Sequence, residues 1–414
     1  MICLLHKITE ENKIIYICII SLLLFRFVHQ LIKFIIESKF IDLGYHYFYA
    51  NMVRLGFNLF DTISIEKAKL LVPIRFAGGE AVYSPSYFVF FQPLTHIPFS
   101  LLSILWLIFS VILCFFAITI FLYNSKQNLS WLMVGFICIL VFTYQPLYED
   151  LILGQNNCLL LILAVGLWLG FKKDISWLSG ISLAFMAFIK IQFGILIIFL
   201  FFLNEKKVFF YATIIWIILF LAGLPQLGFE HYRKYFFALF NHTFKVTSDL
   251  NNLSLNGLWH RLFHNNMRLA TAINCITSLF IFFRVLVWSK RHKEKISMEF
   301  PIIAGITMIP LVSPNTEPHH LVVILLPLIF ASLYIKHAKL KTKLFFVIST
   351  VLIVSRYSFN RFAMSSDSIF TLLLSLKIIG VLMLLFVLIE MGTEIYKNGR
   401  LINCDPQNNI LEFS

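Results

Sequence analysis

Long apolar segments separated by short polar ones recur along the whole chain. This pattern is typical of a membrane protein with many spans, and it does not fit a globular domain with a single anchor. We therefore predict one all-α integral membrane domain over 1–414. The twelve predicted spans are 13–36, 100–123, 130–147, 155–171, 175–189, 191–203, 207–225, 268–288, 300–313, 319–335, 343–356 and 368–392. Several are shorter than the ~20 residues of a straight span, so we expect their ends to extend into the flanks.

Two apolar segments before the second span are predicted to be helices that do not cross the membrane. The segment PSYFVFFQPLTHIPF, 85–99, is short and contains three prolines, so we interpret it as re-entrant or interfacial. The segment DLGYHYFYANMVRLG begins at Asp42 and ends at Gly56, and it is rich in tyrosine, phenylalanine and leucine. We predict a short helix in the membrane interface, with its aromatic side chains at the depth of the headgroups.

The distribution of charge sets the predicted orientation. Only 13% of the residues are charged, and the net charge of +13 comes mainly from short clusters of cations between the spans. If the N-terminus is cytoplasmic, the positive-inside rule is obeyed by the clusters at Lys126, 172–173, 206–207, 290–295 and 336–343. We therefore expect both termini to be cytoplasmic, and we expect the protein to lie in the plasma membrane. The same rule explains the cations without nucleic-acid binding.

The ends of the chain are predicted to belong to the membrane domain. Residues 1–13 are charged and lack the short apolar core and cleavage site of a signal peptide, so we expect the first helix to be retained. The predicted parts are 1–36 with the first span, an extracytoplasmic loop 37–99, the remaining bundle 100–392 and a cytoplasmic tail 393–414. The cysteines are scattered without a CxxC spacing, so we predict neither a zinc site nor a disulfide framework.

Acidic residues that do not neighbour lysines collect on the predicted outer side, which is where we expect a site. Asp42 is the first of them, and it has two interpretations. It is either the N-cap of the short helix, where aspartate is favoured, or a general base held near the membrane surface. The two roles are compatible with each other.

The outer segment YEDLILGQNN, 148–157, also has two interpretations. It is either a polar turn that caps the next helix or a hydrogen-bonding cluster for a polyhydroxylated ligand. Its candidate ligand-binding residues are Glu149, Asp150, Gln155 and Asn156.

Two cations lie in unusually apolar surroundings. Lys190 lies at an outer turn between short spans, where it either snorkels toward water or holds a phosphate as a point charge. Arg26 lies near the middle of the first span and shares a helical face with His29 and Lys33. Because a charge facing lipid is costly, we expect this cationic stripe to face inward.

Two further outer segments contain amides, hydroxyls and histidines. DLNNLSLNGLWHRLF, 249–263, includes Asn256, and NTEPHH, 315–320, ends in His319 and His320 at the start of a span. Adjacent histidines point apart on a helix and do not readily share one ion, so we expect no metal there. We expect His320 to contribute more to a site, because it lies one step deeper toward the span.

Six of these segments occur in the order seen in glycosyltransferase family 87, which the chain resembles over 15–335. They are DLGYHYFYA, YSPSYFVFFQPL, GQNNCLLLIL, the IK at the outer turn, NLSLNGL and HHLVVILLPL. The family includes the polyprenyl-phosphate-mannose-dependent α-mannosyltransferases. The chain departs from its pattern at Ser84, where a second proline is common, at Ile191, where a proline often follows the lysine, and at Glu317-Pro318, where an aromatic residue often precedes the histidines. These departures bear on the sugar and not on the fold.

The resemblance implies a GT-C fold and a hexose donor linked to polyprenyl phosphate, with mannose the expected sugar. It implies that Asp42 is the catalytic base, and that an inverting transfer to a glycolipid or glycan occurs on the extracytoplasmic face. The expected donor-phosphate ligands are Lys190, His319, His320 and Arg26. The expected substrate contacts are Tyr45, Glu149, Asp150, Gln155, Asn156 and Asn256. We expect no metal and no other cofactor.

A competing hypothesis is a transporter or flippase of lipid-linked saccharides. Polar residues at membrane depth also suit that function. Against it, the acidic residues lie in outer loops and not at mid-span, and no paired repeat halves are evident.

Overall fold

The computed structural model describes residues 2–37, 40–76, 81–125, 129–245, 252–293, 297–355 and 375–397. Within these ranges the chain consists of helices joined by short turns, and no β-strand occurs there. The predicted all-α class is confirmed. Residues 398–414 of the predicted tail 393–414 and residues 368–374 of the predicted span 368–392 lie outside the described residues.

The α-helices follow one another in this order: α1 Ile2–Glu37, α2 Ile41–Arg54, α3 Thr62–Leu71, α4 Pro85–Phe91, α5 Phe99–Ser125, α6 Trp131–Thr143, α7 Gln145–Leu153, α8 Asn157–Lys172, α9 Ser176–Ile189, α10 Gly194–Phe202, α11 Lys206–Leu221, α12 Leu224–Leu227, α13 Phe229–Lys245, α14 Leu255–Leu262, α15 Met267–His292, α16 Glu299–Val312, α17 Leu325–Tyr334, α18 Leu340–Val354 and α19 Leu376–Lys397. Short 3₁₀ helices occupy Gln92–His96, Ile191–Phe193, Pro318–Ile324 and Ile335–His337.

Among the described residues, the helices long and apolar enough to cross a membrane are Ile17–Glu37, Phe99–Ser125, Lys206–Leu227, Met267–His292 and Leu376–Lys397. A further crossing results if α6 and α7, which meet at a 42° bend, form one broken span. Five of the predicted spans, from 155–171 to 191–203 and at 300–313 and 319–335, correspond to apolar helices of 10–17 residues. These helices are shorter than a straight span, so length and composition support a membrane protein with several spans but do not confirm twelve.

α16 and α17 form the centre of the bundle. Every α16 residue from Glu299 to Leu311 is buried, and so is the whole of α17. α16 packs against α8, α10, α15 and α19. A helix that is apolar and covered around its whole circumference belongs to the interior of a larger structure. The segment that follows the two histidines is therefore surrounded by protein.

Small residues bring α8 and α9 into close contact. Gly166 and Gly170 on α8 face Ser182 and Ser179 on α9, and a Cβ atom on Gly170 would lie 2.6 Å from the Ser179 backbone nitrogen. Such residues allow helices to approach closely where lipid provides no hydrophobic drive. The contact fixes the position of α9, and with it the position of Lys190 directly after its last residue.

α2 confirms the predicted helix. It runs from Ile41 to Arg54, and Gly56 follows in the left-handed region with φ of 73°. All residues from Leu43 to Val53 are buried, because α2 packs against α3, α4, α5 and α7. Packing against other helices does not determine the depth of α2 in a membrane, so its place in the membrane interface stays a prediction. The segment 85–99 forms α4 and a 3₁₀ turn, which together are too short to span.

The cationic stripe on α1 faces away from the bundle. Arg26, His29 and Lys33 are exposed, whereas Phe27 and Phe34 are buried and contact Tyr148 on α7. The expectation that the stripe faces inward is wrong, because the two phenylalanines occupy the inner face of the helix.

A buried ion pair joins α8 to α16 at the end of the bundle away from Lys190. Lys172 Nζ lies 3.1 Å from a carboxylate oxygen of Glu299, and Trp168 Nε1 donates to the same oxygen at 2.9 Å. Ser297 donates a third hydrogen bond to this carboxylate at 3.1 Å. With side-chain exposures of 9% and 6%, the pair is removed from solvent. Loss of one partner would leave the other charge without compensation.

Lys172→Ala should therefore lower the free energy of unfolding by about 3–5 kcal/mol. The matched control is Lys69→Ala, which removes the exposed pair with Glu66 at 2.7 Å and should cost about 1 kcal/mol or less. Unfolding in detergent micelles measures both variants. Equal losses from the two would contradict a stabilising role for the buried pair.

Candidate functional site

Lys190 is a buried cation at the junction of two helices. α9 ends at Ile189, and Lys190 adopts an extended conformation, with φ of −133° and ψ of 107°, before the 3₁₀ turn Ile191–Phe193. The side chain is buried, and Nζ has no hydrogen-bond partner among the described residues. Snorkelling requires the ammonium to reach water, so that interpretation of Lys190 is wrong.

Three carboxyl groups from different parts of the chain interact electrostatically with the Lys190 ammonium. They belong to Asp150 on α7, Glu317 before the 3₁₀ helix Pro318–Ile324, and Asp42 on α2. An ammonium in a region of low dielectric interacts strongly with charges that are weakly coupled in water. The structure thus brings together two residues that sequence analysis selected separately, Asp42 and Lys190.

Asp42 is not the N-cap of α2. The cap position belongs to Phe40, which makes no side-chain capping bond, and Asp42 lies in the first turn. Its carboxylate accepts a hydrogen bond from Gln155 Nε2 at 2.8 Å, across 113 residues of sequence. Burial raises the pKa of Asp42 above the ordinary aspartate value, and the Gln155 hydrogen bond and the Lys190 charge partly offset this effect. A carboxylate in this state is a stronger base than an exposed one.

Both carboxylate oxygens of Asp150 accept hydrogen bonds from residues nearby in sequence. One oxygen accepts from the backbone nitrogen of Asn157 at 3.2 Å and from its side chain at 2.6 Å, and the other accepts from the Cys158 thiol at 3.2 Å. These donors lie in the first turn of α8, where backbone N–H groups lack helical partners. The capping interpretation of the segment 148–157 therefore describes Asp150.

The histidine pair has two distinct environments. Glu317 and His320 form a capping box, in which the Glu317 backbone N–H donates to His320 Nδ1 at 3.2 Å. His319 is 2% exposed, its Nδ1 lies 3.8 Å from Glu317 Oε2, and its Nε2 has no partner among the described residues. His320 is only partly buried, so His319 has the more enclosed side chain of the two. His319 is the one with a free buried nitrogen.

An aromatic wall completes the cluster, and its histidine was not selected from the sequence. His46 on α2 is fully buried, and its ring centroid lies 4.7 Å from that of Tyr83 and 5.3 Å from that of Tyr87. Tyr87 accepts a hydrogen bond from Asn156 Nδ2 at 3.3 Å. The Tyr45 ring lies 6.1 Å from Tyr83, and its hydroxyl accepts from the Val82 backbone at 2.8 Å. The four-residue spacing of Asp42 and His46 was a signal, because it places both on one helical face.

Three of the predicted residues lie apart from this cluster in the contacts of the described residues. Arg26 is exposed on α1, and its charge acts on Tyr148. The Glu149 carboxylate accepts from the Gln145 side chain. Asn256 donates to the Pro314 carbonyl at 3.0 Å, as does Asn252, so the segment NLSLNGL holds the loop that precedes the histidine pair.

Several buried polar atoms of the cluster have no hydrogen-bond partner in the described part of the chain. They are both ring nitrogens of His46, Gln155 Oε1, Asn156 Oδ1, Lys190 Nζ and His319 Nε2. Buried polar groups are almost always paired, and an unpaired one costs about 1–3 kcal/mol. Their concentration around one lysine indicates a site for a ligand with several hydroxyl groups or anionic oxygens.

The model of glycosyltransferase family 87 matches residues 81–314, which is more than half of the 414-residue chain. The matched stretch contains Tyr83, Tyr87, Gln155, Asn156 and Lys190. No curated protein and no solved structure matches the chain.

Proposed function

The chain belongs to glycosyltransferase family 87 and is a glycosyltransferase, and from that premise we propose that it transfers a hexose from a polyprenyl-phosphate donor to a glycolipid or glycan acceptor. Mannose is the proposed sugar on the strength of the resemblance described above. The observation that carries the proposal is the buried Lys190 ammonium, which has no hydrogen-bond partner among the described residues and interacts electrostatically with the Asp42 carboxylate. The two groups supply a cation for a leaving phosphate and a base for an attacking hydroxyl.

The proposed reaction is a single displacement with inversion at the anomeric carbon. Asp42 accepts the proton of the acceptor hydroxyl, and the hydroxyl oxygen forms the new bond to the anomeric carbon. The bond from that carbon to the phosphate oxygen breaks, and its electron pair leaves with the polyprenyl phosphate. Lys190 and the free nitrogen of His319 stabilise the charge that develops on this phosphate.

The other predicted residues divide into two groups under this proposal. Gln155 orients Asp42 through its 2.8 Å hydrogen bond, and Asn156 and Tyr45 contact the sugar or the acceptor. Asp150, Glu149 and Asn256 hold the surrounding frame, since their polar groups bond within the chain. Because Arg26 is exposed on α1, it could bind the donor phosphate only if the phosphate approached along the outer face of that helix.

The location of the reaction is also part of the proposal. We place the protein in the plasma membrane with a GT-C fold of twelve crossings, both termini in the cytoplasm and the Lys190 cluster on the extracytoplasmic side. The basic clusters at 172–173, 206–207 and 336–343 support this orientation through the positive-inside rule. The short apolar helices then cross together with their flanking residues.

The transporter hypothesis is separated from the transferase by one assay. Transfer of radiolabelled mannose from polyprenyl-phosphate mannose in detergent requires catalysis and no membrane gradient. A transporter produces no signal there, whereas the proposed enzyme produces a glycosylated acceptor.

Asp42→Asn should reduce turnover by about 10²–10⁴-fold, because the amide keeps the size of the side chain but cannot accept the proton. In the wild type, the rate should fall as the pH falls through the raised pKa of Asp42, at a pH above the ordinary range of an aspartate. Steady-state transfer assays over a pH series measure both effects.

The control for Asp42 is Asp61→Asn. Asp61 is a half-buried carboxylate in the same predicted loop, and it caps α3 by accepting from the Ser64 backbone at 2.9 Å. It should retain wild-type turnover. A loss under fivefold in Asp42→Asn, with the fold intact, would contradict the proposed base.

Lys190→Ala and His319→Ala should each raise the apparent donor KM or lower kcat at fixed acceptor by about 10- to 150-fold, as expected for hydrogen bonds to a charged group. Because both contact one phosphate, their effects should be non-additive in a double-mutant cycle. His320→Ala should have the smaller effect, since its Nδ1 is engaged by Glu317. The exposed Lys173→Ala is the control. Wild-type donor kinetics in both Lys190→Ala and His319→Ala would place the phosphate elsewhere.

The orientation is tested by cysteine accessibility in a background without the exposed Cys18 and Cys275. A cysteine at the exposed position Asn265 should react with a membrane-impermeant thiol reagent added outside intact cells, and one at the exposed position Lys341 should not. The reverse pattern would move the Lys190 cluster to the cytoplasmic side.

A further inference from the structure

His46 is a fully buried imidazole of which neither ring nitrogen has a hydrogen-bond partner among the described residues. A core histidine normally satisfies at least one nitrogen, since a buried polar group without a partner is destabilising. The surroundings offer rings in place of acceptors: Tyr83 at 4.7 Å, Tyr87 at 5.3 Å and Phe91 at 5.7 Å between centroids. An imidazole in this position is therefore suited to hydrogen-bond a ligand that reaches it.

Electrostatics fixes the chemical character of this group. Burial lowers the pKa of His46 to about 3, and the nearby Lys190 charge acts in the same direction. The imidazole is therefore neutral at physiological pH, with one nitrogen a donor and the other an acceptor. It does not compete with Lys190 for a phosphate. A neutral donor and acceptor in one ring suits hydroxyl groups, which both donate and accept.

The location of His46 indicates that these hydroxyls belong to the transferred sugar and not to the acceptor. His46 lies one helical turn after Asp42 on the same face of α2, and it interacts electrostatically with Lys190. In an inverting displacement the transferred sugar lies between the base and the leaving phosphate. A residue next to both groups thus faces that sugar. Aromatic rings, such as those of Tyr83 and Tyr87, provide apolar surface for the C–H face of a pyranose.

We infer that His46 binds ring hydroxyls of the transferred sugar as a hydrogen-bond donor and acceptor, with Tyr83 and Tyr87 as the apolar wall of the same subsite. This inference rests on the proposed function, because it takes Asp42 as the base and Lys190 as the phosphate ligand. It makes His46 a residue that determines sugar specificity.

The test is His46→Phe, which keeps an aromatic ring and removes both polar atoms. With polyprenyl-phosphate mannose as donor, kcat/KM for the donor should fall by about 10- to 100-fold, the loss expected for two neutral hydrogen bonds. His46→Asn retains a donor and an acceptor and should recover part of the loss. His231→Phe is the matched control, because the His231 nitrogens also lack partners in the described chain, on α13 beside Phe60. It should keep wild-type kinetics.

Monodeoxy donors give the readout that a purely structural role would not change. The wild type should lose activity with the mannosyl donors that lack the contacted hydroxyls, whereas His46→Phe should show little further loss with those same donors. Equal deoxy penalties in wild type and His46→Phe would overturn the inference and leave His46 bonded to buried water. If the wild type transferred no mannose from the intact donor, the proposed function itself would fail; if only the His46 results failed, the function would stand. Should His46→Phe not fold, the same deoxy comparison in His46→Asn decides the question.

Discussion

The buried ammonium of Lys190, which finds no hydrogen-bond partner in the part of the chain that the structure describes, is the constraint around which this end of the molecule is organised. Removing a lysine charge from water is costly, and the cost is tolerated only where opposite charges lie close. In this bundle those charges come from α2, from α7 and from the turn before Pro318, which are far apart in sequence. The compensation of Lys190 therefore links three separate segments of the chain to the end of α9. It also explains why Gln155 and Asn156, at the start of α8, lie beside residues of α2 and α4.

The frame of the site is built from the same polar segments as the site itself. In 148–157, the carboxylate of Asp150 caps α8, while the side chain of Gln155, just before α8, donates a hydrogen bond to Asp42. In 315–320, Glu317 and His320 cap each other, and His319 keeps a free nitrogen. The loop between α16 and these histidines is held by Asn252 and Asn256 through the Pro314 carbonyl. In the described part of the chain, each segment thus presents one or two polar groups without a hydrogen-bond partner. Neighbouring residues that do form hydrogen bonds hold these groups in position.

The sequence was sufficient for the helical class and for α2, because hydropathy patterns depend on local composition. It was insufficient wherever the outcome depended on a competition between neighbours. Arg26 faces outward because Phe27 and Phe34 take the inner face, and α2 is buried because later helices cover it. His46 was missed because α2 is covered on all sides, so its aromatic run has no exposed face against which a buried polar residue stands out. The number of crossings depends on how short helices such as α9 and α10 combine, and their length alone does not determine it.

The charges near Lys190 affect the free energy of binding an anionic ligand. One ammonium faces three carboxyl groups, and the neighbouring His46 is neutral. A phosphate that enters with all three carboxylates ionised would increase an existing excess of negative charge in a region of low dielectric. Uptake of one proton by the cluster relieves this repulsion, so occupancy by an anion and protonation favour each other. Anion binding at this site is therefore linked to proton uptake. Calorimetry in buffers of different ionisation enthalpy measures this linkage as the number of protons taken up per anion bound.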